Sequence, residues 1–288
     1  MSKLINPIDL DFLLYDVFDA QGLTALSYYQ EHDRSTFDQV LRTAEHIAEH
    51  YFLPHHAKAD QQEPQFSQGK VHTLEEVKHA WRHYSQSGLL NARHAYQDGG
   101  MQLPALIHSA CNAFFMAANP ATAAYPFLTS AAANVIHRFA TEQHKSQYLP
   151  GLFNGRFAAT MALTEPDAGS SLADLNTQAL PQPDGSYLIK GQKMFISAGD
   201  HDLTDNIVHL VLARIQGAAA GVKGLSLFIV PKHRMRPNGD LAEHNDVNLS
   251  GLLHKMGYRG TTSTLLNFGE QNRCQGWLLG EPHQGLRY

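Results

Sequence analysis

The chain has 288 residues, 43% hydrophobic and 17% charged, which is too much apolar sequence for a disordered protein and enough for one large core or two moderate ones. Its formal net charge of -5 provides no domain-scale basic field, so nucleic acid is not an expected partner. Cys111 and Cys274 build neither a disulfide framework nor a CxxC knuckle, Met1 to Asp11 carries no apolar leader, and no run reaches ~18 apolar residues. The expectation is a cytoplasmic protein without a membrane span.

In chain order, Phe12, Leu13, Leu14, Val17 and Phe18 predict an extra helix docked on the domain that follows. Apolar residues then recur at helical spacing through Phe37, Val40, Leu41, Ala44, Ile47, Ala48, Tyr51 and Phe52. Thr36 with Gln39 reads as the capping box that starts this helix, and Pro54 as its stop. Further helices are predicted from Thr73 to near Gly88, from Leu103 to Ala118 with Pro104 in the first turn, through the alanine-rich stretch Ala121 to Ala140, and from Glu142 to Leu149, ended by Pro150-Gly151.

Near residue 155 the period falls to two. Phe157 to Leu163, Tyr187 to Phe195, Asn206 to Ile215, Leu225 to Val230 and Thr262 to Phe268 read as strands, with turns at Asp184-Gly185 and Asn238-Gly239. Strands in succession without long helices between them predict an antiparallel sheet. The fold class expected is therefore α+β: an all-α domain followed by an antiparallel β-barrel or sandwich. The organisation is an extension at 1–34, a helical domain at 35–155, a β domain at 156–280 and a linking segment at 281–288.

Several local patterns point to chemistry. His46-Ile47-Ala48-Glu49-His50 fits the H-x-x-E-H zinc pattern, a hydrolase reading, but both histidines fall off the apolar stripe and no third acidic ligand is marked. The pair His79 and His83, and His55-His56 after Pro54, read as solvated histidines, and no metal ligand is assigned. Gly217 to Gly224 has the wrong spacing for a phosphate loop and leads into a strand, so it reads as a hairpin connection. The informative segments are Met161-Ala162-Leu163-Thr164-Glu165-Pro166-Asp167-Ala168-Gly169-Ser170-Ser171 and Lys193-Met194-Phe195-Ile196-Ser197-Ala198-Gly199. The first leaves a strand for a Pro/Gly/Ser turn, exposing hydroxyls and main-chain N–H groups that can embrace a flat polar ring or a diphosphate; an ordinary serine-capped turn has the same composition.

Together these segments resemble the flavin-binding strand and loop of acyl-CoA dehydrogenases, in that family's order and spacing. Gly224 to Pro231, Met256 to Ser263 and Leu279 to Arg287 extend the likeness from about residue 35 onward, and the leading segment resembles the subgroup that includes methylthiopropanoyl-CoA dehydrogenases. The resemblance implies FAD as cofactor, an acyl-CoA substrate, an electron-transfer partner and a homo-oligomer. It places main chain at Met161 and Leu163 and the hydroxyl of Thr164 against the isoalloxazine, and Gly169 and Ser170 near the diphosphate or acyl-CoA. Phe195 would shield one ring face, and Ser197 would hydrogen-bond near the reactive nitrogen.

Three positions depart from the family pattern: Ser171 where aspartate is usual, Asp174 where a small residue is usual, and Phe195 where tryptophan is common. The family's catalytic glutamate lies in a carboxy-terminal helical domain for which no counterpart is read here. No catalytic residue is therefore assigned, Glu165 is expected to fix the loop by hydrogen bonds, and turnover by this chain alone is expected to be poor. The alternative reading is a noncatalytic binding or assembly module that retains the fold.

Overall fold

The computed structural model describes residues 2–236 and 238–288. The leading segment forms a short helix α1 (Pro7–Asp11) capped by Asn6, runs on as a π-helical turn over Phe12–Val17, and buries Leu14 in the core of the helical half. Tyr15 fixes the dock by donating its hydroxyl to Asp38 at 2.7 Å. The docked helix is thus one short α-helix plus a π turn. It leaves Ile8, Phe12, Val17 and Phe18 exposed.

The next helix, α2 (Arg34–Ile47), starts one turn before the expected capping box. Asp33, not Thr36, is the cap: its carboxylate accepts the Thr36 N–H while its own N–H donates to the Thr36 hydroxyl. Beyond Ile47 the ladder widens into a π-helical turn over Ala48–Phe52, which keeps Phe52 in the same buried stripe as Phe37, Leu41 and Ala44. After α3 (His56–Gln61), an unexpected hairpin of β1 (Gln65–Ser67) and β2 (Lys70–His72) precedes α4 (Glu75–Gln86), α5 (Ala105–Ala118) and α6 (Pro120–Phe139). The last helix, α7 (Glu142–Phe153), runs through Pro150 instead of stopping there. A helix-interior proline costs about 3 kcal/mol. Tyr148 and Leu152, both fully buried against the sheet, offset that penalty and hold the final turn.

The β half comprises β3 (Phe157–Ala162), β4 (Gln178–Pro181), β5 (Tyr187–Ser197), β6 (Asn206–Ile215), β7 (Leu225–Pro231), the small hairpin β8 (His233–Met235) and β9 (Leu241–His244), then β10 (Val247–Leu252), β11 (Ser263–Phe268) and β12 (Gln275–Leu279). Pairings β5·β12, β12·β7, β7·β6, β6·β4 and β4·β5 close a ring, from which β3 extends on β6, and β11 and β10 extend on β5. Five strands cannot alternate direction all the way round, so one seam must be parallel; it is β4·β6, and β3 joins β6 in parallel as well. The sheet is otherwise antiparallel, as expected.

Strand β6 reads as a continuous apolar run because both its faces are covered. Val208, Leu210 and Leu212 face α6 and α7 in a core that includes Ile136 and Tyr148, while Val211 and Ala213 join Phe228 and Val230 inside the ring. The helical and β halves also meet at Tyr125, whose hydroxyl donates to the Gly260 carbonyl at 3.3 Å and accepts the Thr262 N–H at 3.1 Å. Residues 217–224 connect β6 to β7 as expected; the Arg214 guanidinium donates to the Ala219 and Gly221 carbonyls and closes that loop. Among the described residues, no helix is long and apolar enough to cross a membrane.

Candidate functional site

The residues singled out by sequence converge where β3 ends beside the far end of β5. Main chain joins the two directly, Met194 donating its N–H to the Thr164 carbonyl at 2.9 Å. Side chains add a second tie: the Lys193 ammonium donates to the Leu163 carbonyl at 2.8 Å and to Glu165 Oε1 at 2.9 Å. Both ionic side chains are buried, Lys193 at 0% and Glu165 at 4% exposure. Such a pair persists only with every lone pair engaged. The remaining demand of Glu165 is met by the N–H and hydroxyl of Thr177 and the N–H of Asn176. Burial pushes the Glu165 carboxyl up, but Lys193 and these hydrogen bonds together hold it below the usual carboxylate range. Burial likewise drives the Lys193 ammonium down, to about 8, against the pull of Glu165. Glu165 therefore fixes the loop, Oε1 accepting from Lys193 and from the N–H and hydroxyl of Thr177, and Oε2 from the N–H of Asn176.

The second feature is a bulge in β5. Ile189 and Lys193 point inward in strict alternation, which would carry Phe195 inward too. Opposite β11, however, Lys193 pairs with Leu266 and Ile196 with Thr264, so Met194 and Phe195 together face one residue. The phase flips: Ile196 is buried, and Phe195 is thrown outward, 60% exposed with φ +59. An aromatic side chain in the left-handed region is a strained placement, and strain of this kind concentrates at functional sites. Ala198, at φ +55, turns the strand end back, its N–H donating to the Thr262 carbonyl at 2.9 Å. Gly199 is demanded by close approach, since a Cβ there would lie 2.1 Å from the Thr264 hydroxyl, itself bonded to the Ile196 carbonyl. Gly199→Ala is expected to cost roughly 1–3 kcal/mol and to disturb this strand end, read by thermal melting.

Met161 is half-buried on β3, and Leu163 and Thr164 follow it at the strand end. Glu165 and Ala168 close a tight turn by reciprocal main-chain hydrogen bonds, from which Gly169 and Ser170 emerge exposed. A Cβ added at Gly169 would meet nothing within 4 Å, and its φ is not positive, so the fold itself does not require glycine there. The departures Ser171 and Asp174 lie together, the Asp174 N–H donating to the Ser171 carbonyl around a short 3-10 turn. The hydrogen bonds that build this corner run through Glu165, Thr177, Lys193 and Thr264; the hydroxyls of Thr164, Ser170 and Ser197 take no part in them. The structure thus brings Leu163, Thr164, Phe195 and Ser197 onto adjacent strand ends, while Gly169 and Ser170 lie on the loop that Glu165 holds. The corner offers an exposed aromatic face beside uncommitted hydroxyls, the provision for a planar ring with polar edges.

Lys193 is the site residue that sequence reasoning passed over, although its inward parity with Ile189 signalled a buried cation in need of an acid. The zinc reading finds no support in geometry. His50 Nδ1 hydrogen-bonds its own helix at the His46 carbonyl, His83 stacks on Tyr51 at 3.6 Å, and among the described residues no three of His, Cys, Asp and Glu stand together as a metal group.

Residues 35–156 match the acyl-CoA dehydrogenase N-terminal domain and residues 160–270 the acyl-CoA dehydrogenase middle domain. The chain is 34% identical over 280 residues to 3-methylmercaptopropionyl-CoA dehydrogenase of Ruegeria pomeroyi, covering 97% of this chain and 47% of that protein. It is 33% identical over 287 residues to the broad-specificity linear acyl-CoA dehydrogenase FadE5 of Mycobacterium tuberculosis, covering 98% and 46%. It therefore spans about half the length of these curated relatives. Among solved structures, the acyl-CoA dehydrogenase of Bacillus anthracis complexed with FAD superposes with a TM-score of 0.68 at 25% identity, covering 89% of this chain and 39% of that one. Butyryl-CoA dehydrogenase of Megasphaera elsdenii shares the fold at the same TM-score and 22% identity, covering 87% and 60%. With both domain matches in order and relatives of 33–34% identity aligned over nearly its whole length, the chain belongs to the acyl-CoA dehydrogenase family.

Proposed function

We propose that this chain holds FAD against the β5 bulge and serves the α,β-dehydrogenation of an acyl-CoA thioester. The observation that carries the reading is Phe195, exposed in a strained backbone beside hydroxyls the fold leaves unused. The residues suit the cofactor: an aromatic face to cover a ring, Thr164 and Ser197 to bond its edge, and an open approach at Gly169. FAD, when bound, supplies the hydride acceptor. Leu163 commits its carbonyl to Lys193, so what it offers a ligand is its N–H, a donor suited to stabilising negative charge. Phe195 excludes water from one ring face, and Ser197 provides a second donor. Glu165 is a poor candidate for the base, being buried, paired with Lys193 and held below the usual carboxylate range.

The proposal includes an electron-accepting partner to empty the reduced cofactor, and a homo-oligomer, for which the exposed apolar residues Ile8, Phe12 and Phe18 are the support. The compartment proposed is the cytoplasm, in keeping with two free, buried cysteines. Titrating the purified chain with FAD tests the reading. Saturable binding with a shifted flavin band is expected, and Ser197→Ala should weaken it about tenfold. Absence of saturable binding, or an unchanged Ser197→Ala titration, defeats it.

A further inference from the structure

The Lys193–Glu165 pair is more elaborate than loop-fixing requires. Glu165 alone, through Thr177 and Asn176, pins the loop after β3 to the start of β4. Lys193 adds a bond of a different kind, reaching across from β5 to the Leu163 carbonyl from the residue immediately before the bulge that exposes Phe195. One buried ammonium thereby fixes three things: the end of β3, the acid that holds the following loop, and the strand position from which the bulge departs. A methionine of similar length would fill the space, but it has no N–H with which to bridge a main-chain carbonyl and a carboxylate.

We propose that Lys193 is a positioning residue for the flavin site, its ammonium setting the separation between the Leu163–Thr164 strand end and the Phe195 bulge. The inference rests on the FAD reading above and concerns how that site is held. Removing the ammonium releases the Leu163 carbonyl, which can then turn, so that the donor meant for the ligand loses its fixed direction. Lys193 touches no ligand in this scheme; it acts through Leu163 and through the bulge.

The test compares Lys193→Met with the double variant Glu165→Gln/Lys193→Met. The single variant leaves a buried carboxylate without its cation and is expected to melt early, so it cannot by itself separate positioning from folding. The double variant removes both charges and should recover most of the melting temperature. Two readouts are then taken on wild type and double variant: backbone amide exchange at residues 163–169 and 194–197 in the flavin-free chain, and FAD titration by visible absorption and circular dichroism. Positioning by Lys193 predicts exchange about tenfold faster in both segments, FAD binding about tenfold weaker, and a changed flavin dichroism, all in a protein whose stability has been restored. If the double variant regains wild-type exchange and FAD affinity along with its stability, the lysine has only a structural part and the proposal is overturned. If wild type binds no FAD, the flavin reading fails by itself, and the exchange measurement still decides whether Lys193 ties the two strand ends.

Discussion

Lowering the pH from 7.5 to 5 is expected to destabilise this protein severely. His201 and His209 are buried, at 5% and 0% exposure, and burial drives both imidazoles down to about 3, helped by the Lys232 ammonium nearby. In the unfolded chain a histidine titrates near 6.5. Between those values the unfolded state binds protons that the native state refuses, so the stability these residues contribute is complete above about pH 6.5 and falls as the pH drops toward 3. At pH 5 each costs about 2 kcal/mol, from roughly 1.5 units at 1.36 kcal/mol per unit, and the two together about 4. His55 and His94, driven by burial to about 4, act in the same direction. A native state worth roughly 5–15 kcal/mol loses much of its margin. The geometry shows why neither His201 nor His209 accepts a proton easily. His209 Nδ1 lies 2.8 Å from the Thr160 hydroxyl and its Nε2 has no partner, while His201 Nδ1 accepts the Leu203 N–H and its Nε2 is equally alone. Urea unfolding at pH 7.5, 6 and 5 measures the slope, and His209→Gln should flatten it. A free energy of unfolding that holds constant across this range would show the burial argument to be wrong.

Six of the 18 histidines are buried. The sequence shows that the chain is rich in imidazoles but not which of them the β6 strand and the domain junction enclose. The same division runs through the fold. Long periodic segments were legible: Asn206–Ile215 is a strand over the residues its apolar run suggested, and Ala105–Ala118 starts within two residues of the expected position. Short polar strands were not. Gln65–Ser67, His233–Met235 and Leu241–His244 exist because a partner lies beside them, and their own alternation is too brief to announce it. The parallel seam at β4·β6 is likewise a property of closing an odd ring, invisible in any one segment. At the site, the motif drew attention to two segments that the fold brings side by side at the ends of β3 and β5, but the buried Lys193–Glu165 pair that joins them went unread. The bulge at Phe195 could not be read, because it is created by the register of β5 on β11, some seventy positions away.

That bulge gives the sharpest test of whether function has shaped the backbone. Phe195→Gly is expected to leave the fold as stable as before or to raise its stability by up to about 1 kcal/mol, because glycine adopts positive φ without steric cost. Little packing is lost in exchange, the side chain being 60% exposed. FAD binding should move the other way. Covering the exposed part of a phenyl ring and stacking it on a planar ligand together contribute roughly 2–3 kcal/mol, so affinity should fall roughly 30- to 150-fold. Phe195→Leu separates the two contributions: it keeps apolar bulk and the backbone strain, loses the π face, and should bind with intermediate affinity at no gain in stability. The paired measurement is thermal melting of the flavin-free chain and FAD titration of each variant. A residue selected for folding alone would lose stability and leave FAD affinity unchanged when replaced by glycine, whereas one held in strain for a ligand keeps or gains stability and loses affinity. Loss of more than about 1 kcal/mol of stability in Phe195→Gly, with FAD affinity unchanged, would assign the exposed aromatic to the fold and remove the main support for the flavin reading.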